Sequence, residues 1–470
     1  MNTLDVTGET GARTTSRGLP AWAAVFAASA TLLVSPALAG TGALTQLAGT
    51  DGCVSDGGSS GNCVDAEALD GIQGLTVSNN GLSLYAASDL SDGVVVFLRT
   101  GSGALIQQAG TSGCVTDDGS GGACADGRAL QGARDVALDK KAKHLYVAAP
   151  GDDAIAVFAR DKTGTILQLA GTDGCVSDDG TGGECAIGVA LDGARSVTVG
   201  PKGKFVHATS LHDDAVTVFA RDKKTGVLTQ LPGTDGCVSE DGTGGLCVNG
   251  RALDFPTDVA VSPKGDSLYV AAVGSSAVSI FARDKKTGIL SQLVGTAGCI
   301  SEDGTGGNCT DGRGLAGAFG VTVSKDGKFV YVAARDGNAV AAFARDKSTG
   351  ALSQLAGTDG CISEDGSGGE CADGTNLTGA LSVVLSRDGK NAYVASNVSD
   401  AVAIFSRDKK TGVLAQFAGT EACISDDGSG GACADGTALV EASSVIVTRN
   451  GKSVYVASPT SDAISAFDRD

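Results

Sequence analysis

Fourteen cysteines set a regular beat along this chain of 470 residues. They fall as seven pairs, Cys53/Cys63, Cys114/Cys124, Cys175/Cys185, Cys237/Cys247, Cys299/Cys309, Cys361/Cys371 and Cys423/Cys433, each spaced Cys-x9-Cys, with successive pairs 61 or 62 residues apart. Phe97, Phe158, Phe219, Phe281, Phe343, Phe405 and Phe467 keep the same interval, with Tyr85, Tyr146, Tyr269, Tyr331, Tyr393 and Tyr455 upstream and His207 in the remaining Tyr slot. A repeat of this length is one supersecondary unit made seven times, and such units bury their apolar faces by stacking on their neighbours. The 71 glycines disfavour long helices.

One repeat reads as four short strands, A to D, predicted at Asp258 to Ser262, Ser267 to Ala272, Ala277 to Asp284 and Ile289 to Leu293. Pro263-Lys264-Gly265, Gly274-Ser275-Ser276 and Lys285 to Gly288 are the turns between them. The run Leu268-Tyr269-Val270-Ala271-Ala272 is apolar on both faces, as suits a small sheet packed between two neighbours. Radially packed four-stranded blades meet that demand. A lone D-type strand opens the repeat region at Ala43 to Leu47, and the chain stops at Asp470 after strands A, B and C of a last repeat. The two ends together complete one blade and leave no dangling edge. The expected fold is therefore all-β, a seven-bladed propeller of four-stranded antiparallel blades spanning residues 40–470 as a single domain.

Ser324-Lys325-Asp326-Gly327-Lys328-Phe329-Val330-Tyr331-Val332-Ala333 and Asp214-Ala215-Val216-Thr217-Val218-Phe219 resemble the repeats of the YVTN and lactonase-like seven-bladed propellers. The likeness covers residues 43–470. It implies the propeller fold and leaves activity open between lactone chemistry and a propeller with no known chemistry.

Arg13 and Arg17 precede the apolar run from Leu19 to Val34, and Pro36-Ala37-Leu38-Ala39 has the small-x-small pattern of a signal-peptidase site. Residues 1–39 are read as a signal peptide cut before Gly40, which places the mature protein in the periplasm, the envelope or outside the cell. No later stretch reads as a membrane span. The cysteine pairs should then be oxidised within each pair and serve as structural staples that pinch the long loop from strand D to the next strand A. Zinc lacks ligands, because His144, His207 and His212 have no metal-like spacing with the cysteines. Redox catalysis is disfavoured because Cys-x9-Cys lacks the close dithiol of Cys-x-x-Cys.

The formal net charge of −19 argues against a nucleic-acid partner. In an up-and-down blade the A–B and C–D turns share one end of the ring, and the B–C turns and cysteine loops share the other. Of the 33 Lys and Arg after residue 39, 27 fall at the turn end. Of the 52 Asp and Glu, 41 fall at the cysteine-loop end. That acidic end repeats Ser239-Glu240-Asp241-Gly242-Thr243-Gly244-Gly245, with Glu302-Asp303 and Glu364-Asp365 in matching loops. These carboxylates are candidate calcium donors, and the alternative is a solvated Gly-rich turn. The basic turns would suit an anionic envelope polymer. A monomer is expected, and no cofactor is required.

Catalysis by a repeat protein must come from departures from the repeat, because a pocket needs different groups converging on one ligand. The slot just before strand A holds Gln73, Arg134-Asp135, Arg195, Thr257-Asp258, Phe319, Leu381 and Ser443 in successive blades. A lactonase could use Arg134 and Arg195 to hold a carboxylate or polarise a carbonyl, and His212, Asp135 or Asp258 to activate water. Phe255 and Phe319 are expected in the core. No phosphate loop is present. Two function classes remain: an exported binding or structural module for a protein, polymer or small molecule, and a lactonase-like hydrolase.

Overall fold

The computed structural model describes residues 42–470; the expected leader, residues 1–39, lies outside them. Seven antiparallel blades follow one another, each with strand A innermost. In blade IV, the repeat used above, strands A to D are Pro256–Val261, Ser267–Ala272, Ala277–Arg283 and Leu290–Gln292. Every residue of strand B is buried. The A strands touch their neighbours in a closed ring, with Ile72–Val77 of blade I beside Ser444–Val447 of blade VII, and they line a central channel.

The outer strand departs from expectation. Strand D ends early, at Gln292, and the cysteine segment Cys299–Ser301 is itself a strand pairing with the first half of strand C (Ser279↔Cys299), beyond which Thr310–Asp311 adds a short parallel pair. A turn at Gly295–Gly298 separates the two halves of the outer edge. The segment escapes a period-2 search because it is only three residues long.

Disulfides join Cys53 to Cys63, Cys114 to Cys124, Cys175 to Cys185, Cys237 to Cys247, Cys299 to Cys309, Cys361 to Cys371 and Cys423 to Cys433. The pairing is the expected one, but the staple does not run from loop to loop. The first cysteine of each pair opens the added outer strand, whereas Cys63, Cys124, Cys185, Cys247, Cys309, Cys371 and Cys433 stand outside any strand, each just before the short parallel pair. The reason is the Gly-rich turn between the two cysteines. It runs through left-handed residues, Gly58, Ser59 and Ser60 in the first loop, and so reverses the chain before the second cysteine. Both cysteines of every pair are buried, as Cys175 and Cys185 are against Ala129 and Ala154.

Ring closure follows the reading of the two ends. Leu44–Gln46 pairs with Ala463–Arg469 (Leu44↔Arg469, Gln46↔Phe467), and Cys53–Asp56 continues along the same strand (Cys53↔Ser465). Each of the seven large apolar cores lies between blades rather than within one. Val216 and Val218 of blade III pack with Val259, Leu268 and Val270 of blade IV, and Leu44 joins the core between blades VI and VII. Because every blade depends on two neighbours, the unit of stability is the ring.

A polar clasp repeats at the turn end of each seam. The Tyr331 hydroxyl of blade V donates to the Gly412 carbonyl of blade VI at 2.6 Å and accepts from Nε of Arg407 at 2.6 Å. Tyr85, Tyr146, Tyr269, Tyr393 and Tyr455 make the same two bonds. At the III–IV seam His207 takes the Tyr position: its Nε2 accepts from Arg283 Nε at 3.0 Å, and its buried Nδ1 has no partner. Burial and the Arg283 charge hold its pKa well below the ordinary histidine value, so the ring is neutral.

Candidate functional site

The seven residues of the slot before strand A converge on one cavity of about 170 Å³ at the cysteine-loop end of the channel. Gln73, Arg134, Arg195, Thr257, Phe319, Leu381 and Ser443 line it together with Asp135, Ser196 and Asp258. A β-bulge brings them there. Strand register skips from Ala194 to Ser196, Pro256 to Asp258, Ala318 to Gly320 and Ala380 to Ser382, leaving Arg195, Thr257, Phe319 and Leu381 outside the ladder. An unpaired bulge residue is free to turn its side chain away from the packed faces. Close approach of the A strands also matters: a Cβ on Gly320 would stand 2.4 Å from the Leu381 carbonyl oxygen.

The two arginines differ in partnership. Arg134 Nη1 lies 3.2 Å from Asp89 Oδ2, and Gln73 Nε2 donates to the same oxygen at 3.2 Å. Arg195 makes no ion pair and no hydrogen bond with any described residue; its guanidinium lies 4.9 Å from the centre of the Phe319 ring. Burial, then the charges of Arg134 and Arg335, bring its pKa down to about 9, against the opposing pull of Asp135 and Asp258. It remains a cation at neutral pH, and the residue lines the cavity.

Asp135 and Asp258 tie adjacent blades together. Asp135 Oδ2 accepts the Val197 N–H at 2.9 Å, and Asp258 Oδ2 accepts the Val321 N–H at 2.8 Å. Between them stands Ser196, whose Oγ is 2.9 Å from Asp135 Oδ2 and 3.2 Å from Asp258 Oδ1. One hydroxyl has one hydrogen, so both contacts are hydrogen bonds only when the pair holds an additional proton. Burial raises both carboxyls. Asp258 reaches about 6, with the Asp135 charge adding to burial and the Val321 N–H opposing it. The cavity thus joins a cation without an ion-pair partner among the described residues to a carboxyl group whose pKa burial raises to about 6.

The structure separates other members of the expected set. His212 lies outside the cavity lining on the B–C turn of blade III, largely exposed, with Nδ1 2.9 Å from Asp192 Oδ1. Phe319 is half-buried and faces the cavity beneath Arg195 rather than sitting in the core. Phe255 is also outside the core, 44% exposed, with φ of +51° where five other blades place Gly71, Gly132, Gly193, Gly317 and Gly379. Sequence reasoning passed over Ser196 and Asp89. Ser196 follows the slot in a position that also varies between blades, and Asp89 occupies a B–C turn position filled by Pro150, Leu211 and Val273 in the next three blades.

The acidic loops use their carboxylates internally. Asp241 Oδ1 accepts the Thr243 N–H at 2.8 Å and Glu240 Oε2 accepts the Leu253 N–H at 2.6 Å. Asp303 with Thr305, Glu302 with Leu315, Asp365 with Ser367 and Glu364 with Leu377 repeat the pattern. Among the described residues no group of three or more His, Cys, Asp or Glu is arranged to hold a metal ion, and no helix is long and apolar enough to cross a membrane.

The family model described as "Lactonase, 7-bladed beta-propeller" matches residues 62–239. The chain is a seven-bladed propeller, and over those residues it resembles that family. No curated protein matches it. Among solved structures, hydrazine synthase of Kuenenia stuttgartiensis is 15% identical with a TM-score of 0.51, the match covering 85% of this chain and 96% of that one. The periplasmic gluconolactonase of Pseudomonas aeruginosa is 19% identical with a TM-score of 0.47, covering 73% and 83%. A protein from Lactobacillus plantarum is 17% identical with a TM-score of 0.48, covering 74% and 83%. At these identities the likeness shows the fold alone. The function of this propeller rests on the chemistry of its own cavity.

Proposed function

We propose that this propeller acts outside the cytoplasm as a binding module, and that the cavity at its acidic end takes a small hydroxy acid or lactone. The observation that carries the reading is the Arg195 guanidinium, a cation that lines a cavity and has no ion-pair or hydrogen-bond partner among the described residues, its one contact being the Phe319 ring. A half-buried cation gains most from an oxyanion or a polarised carbonyl that replaces its lost hydration. The acidic residues around the mouth disfavour highly charged ligands and suit one with a single carboxylate or a neutral ring. Seven disulfides fit an oxidising compartment.

A second reading is hydrolysis, favoured by Asp258 with its pKa near 6 in the same cavity and by the lactonase family match. Arg195 would hold the lactone carbonyl oxygen while ionised Asp258 takes a proton from water. The resulting hydroxide would add to the carbonyl carbon, and the oxyanion would rest against Arg195. Collapse would break the ring C–O bond, the leaving oxygen recovering the proton from Asp258. The product hydroxy acid then ionises, so one proton is released per turnover.

The test is calorimetric titration of the oxidised protein with gluconate and related aldonates, beside proton release from a panel of sugar lactones and simple lactones. Arg195→Ala should abolish binding and any hydrolysis, and Asp258→Asn should abolish hydrolysis while sparing binding. Binding that survives Arg195→Ala would overturn the site assignment. A folded protein that binds no aldonate or lactone would sink the proposal.

A further inference from the structure

The turn end of the channel has an opening of its own, and its chemistry is opposite to that of the Arg195 cavity. A space of about 390 Å³ lies among blades I, V, VI and VII, larger than the cavity at the acidic end. Lys325, Arg387 and Arg449 reach it from the A–B turns of three consecutive blades, and Val323, Leu385 and Val447 supply apolar wall behind them. Arg449 donates to Asn79 Oδ1 at 2.8 Å, a neutral partner. Lys325 and Arg387 make no ion pair or side-chain hydrogen bond with any described residue.

Many of the carboxylates present at this end have partners of their own, whereas Asp468 shares a neighbouring hollow with Arg449. Asp266 pairs with Arg345 at 2.8 Å, Asp388 with Arg469 at 3.2 Å, and Asp139 with Arg221 and His144. Asp326 accepts from Ser324 Oγ and the Lys328 N–H. In the C–D turns Asp222, Asp284, Asp346 and Asp408 each accept two N–H groups of their own turn through Oδ1. Lys325 and Arg387 are thus left without an ion-pair partner among the described residues. Three like charges converging on one concave space repel one another, and a ligand with several oxyanion groups removes that repulsion while gaining contact with each.

We propose that this opening is a second binding site, for a ligand carrying two or more phosphate or carboxylate groups. The inference is independent of the reading given to the Arg195 cavity. Tripolyphosphate is the probe for a free ligand, and long-chain polyphosphate is the probe for a polymer end; tighter binding per site by the chain assigns the polymer, equal binding the free ligand. Titration of the full chain at low ionic strength should show saturable binding of tripolyphosphate that weakens as salt rises. At about two- to fivefold per charge removed, the variant Lys325→Ala/Arg387→Ala/Arg449→Ala should bind about tenfold or more weakly. Lys162→Ala/Lys223→Ala, on C–D turns outside this opening, should bind as the parent does. Absence of binding to the folded parent overturns the proposal. So does an equal loss in the Lys162/Lys223 variant, which would make the attraction a property of the whole basic face.

Discussion

The III–IV seam offers a direct test of the clasp that joins the blades. His207→Tyr restores the residue found at the other six seams, and blade V shows that there is room for it. Phe329 beside Tyr331 corresponds to Phe205 beside His207, and Arg407 over Phe329 corresponds to Arg283 over Phe205. In the parent, Nε2 of neutral His207 accepts from Arg283, so the ring proton sits on Nδ1, buried with no acceptor. An unsatisfied buried donor costs about 1–3 kcal/mol, and a new hydroxyl bond to the Gly288 carbonyl would contribute about 1 kcal/mol. The expected gain is therefore about 2–4 kcal/mol. With an unfolding entropy of about 2 cal/mol/K per residue, that corresponds to a rise in Tm of about 2–4 °C for a chain of this length. Calorimetric melts of the oxidised protein would read it. His207→Phe is the control, because it removes the orphan N–H but leaves Arg283 Nε without an acceptor; it should gain little or lose stability. The sign with pH also follows. The folded His207 pKa is depressed while the unfolded value is ordinary, so the parent loses stability as pH falls below about 6.5. The advantage of the Tyr variant should thus be larger at pH 5 than at pH 8. A Tm that falls in His207→Tyr would refute the reasoning and mean that the seam is overpacked.

Asp258→Asn should flatten part of the stability–pH profile. The folded carboxyl titrates near 6 while the unfolded one titrates near 3.8, so ionising it destabilises the parent as pH rises through that window; equal slopes in parent and variant by chemical denaturation at pH 4, 5, 6 and 7 would count against the assignment. Cys175→Ala/Cys185→Ala should cost about 3 kcal/mol by the loop-entropy argument and leave the ring closed, as read by guanidinium unfolding and far-UV circular dichroism. Calcium at millimolar concentration should leave Tm unchanged, because Glu240 and Asp241 and their counterparts hold the N–H groups of their own loops; a clear rise would show these carboxylates to be ion ligands. Ala43→Pro/Leu44→Asp, which disturbs the strand completing blade VII, should lower Tm more than the loss of one disulfide, because Leu44 is part of the core between blades VI and VII.

Much of this protein is written in its repeat. The interval of cysteines, tyrosines and phenylalanines fixes seven units, and the two-sided apolar strand at Leu268 to Ala272 requires each unit to be sandwiched. The lone strand at Leu44 supplies the missing edge of the last one. These are local properties, decided by period and turn chemistry within a few dozen residues, so they can be read without coordinates. The slot before strand A was legible for the same reason: against a near-identical background its seven different residues stand out.

What each slot residue does was settled only by closing the ring. Arg134 and Arg195 occupy equivalent positions, yet Asp89 pairs with one, whereas the other lies over the Phe319 ring with no ion-pair partner among the described residues. Ser196 gains its place between Asp135 and Asp258 because strands from three blades meet at the channel. His212, close in sequence to the site, is carried away by a turn, and Phe255 stays exposed in a conformation that five other blades give to glycine. Periodicity encodes how a blade is built. The chemistry at the channel depends on distances between blades some sixty residues apart, and only tertiary packing sets those distances.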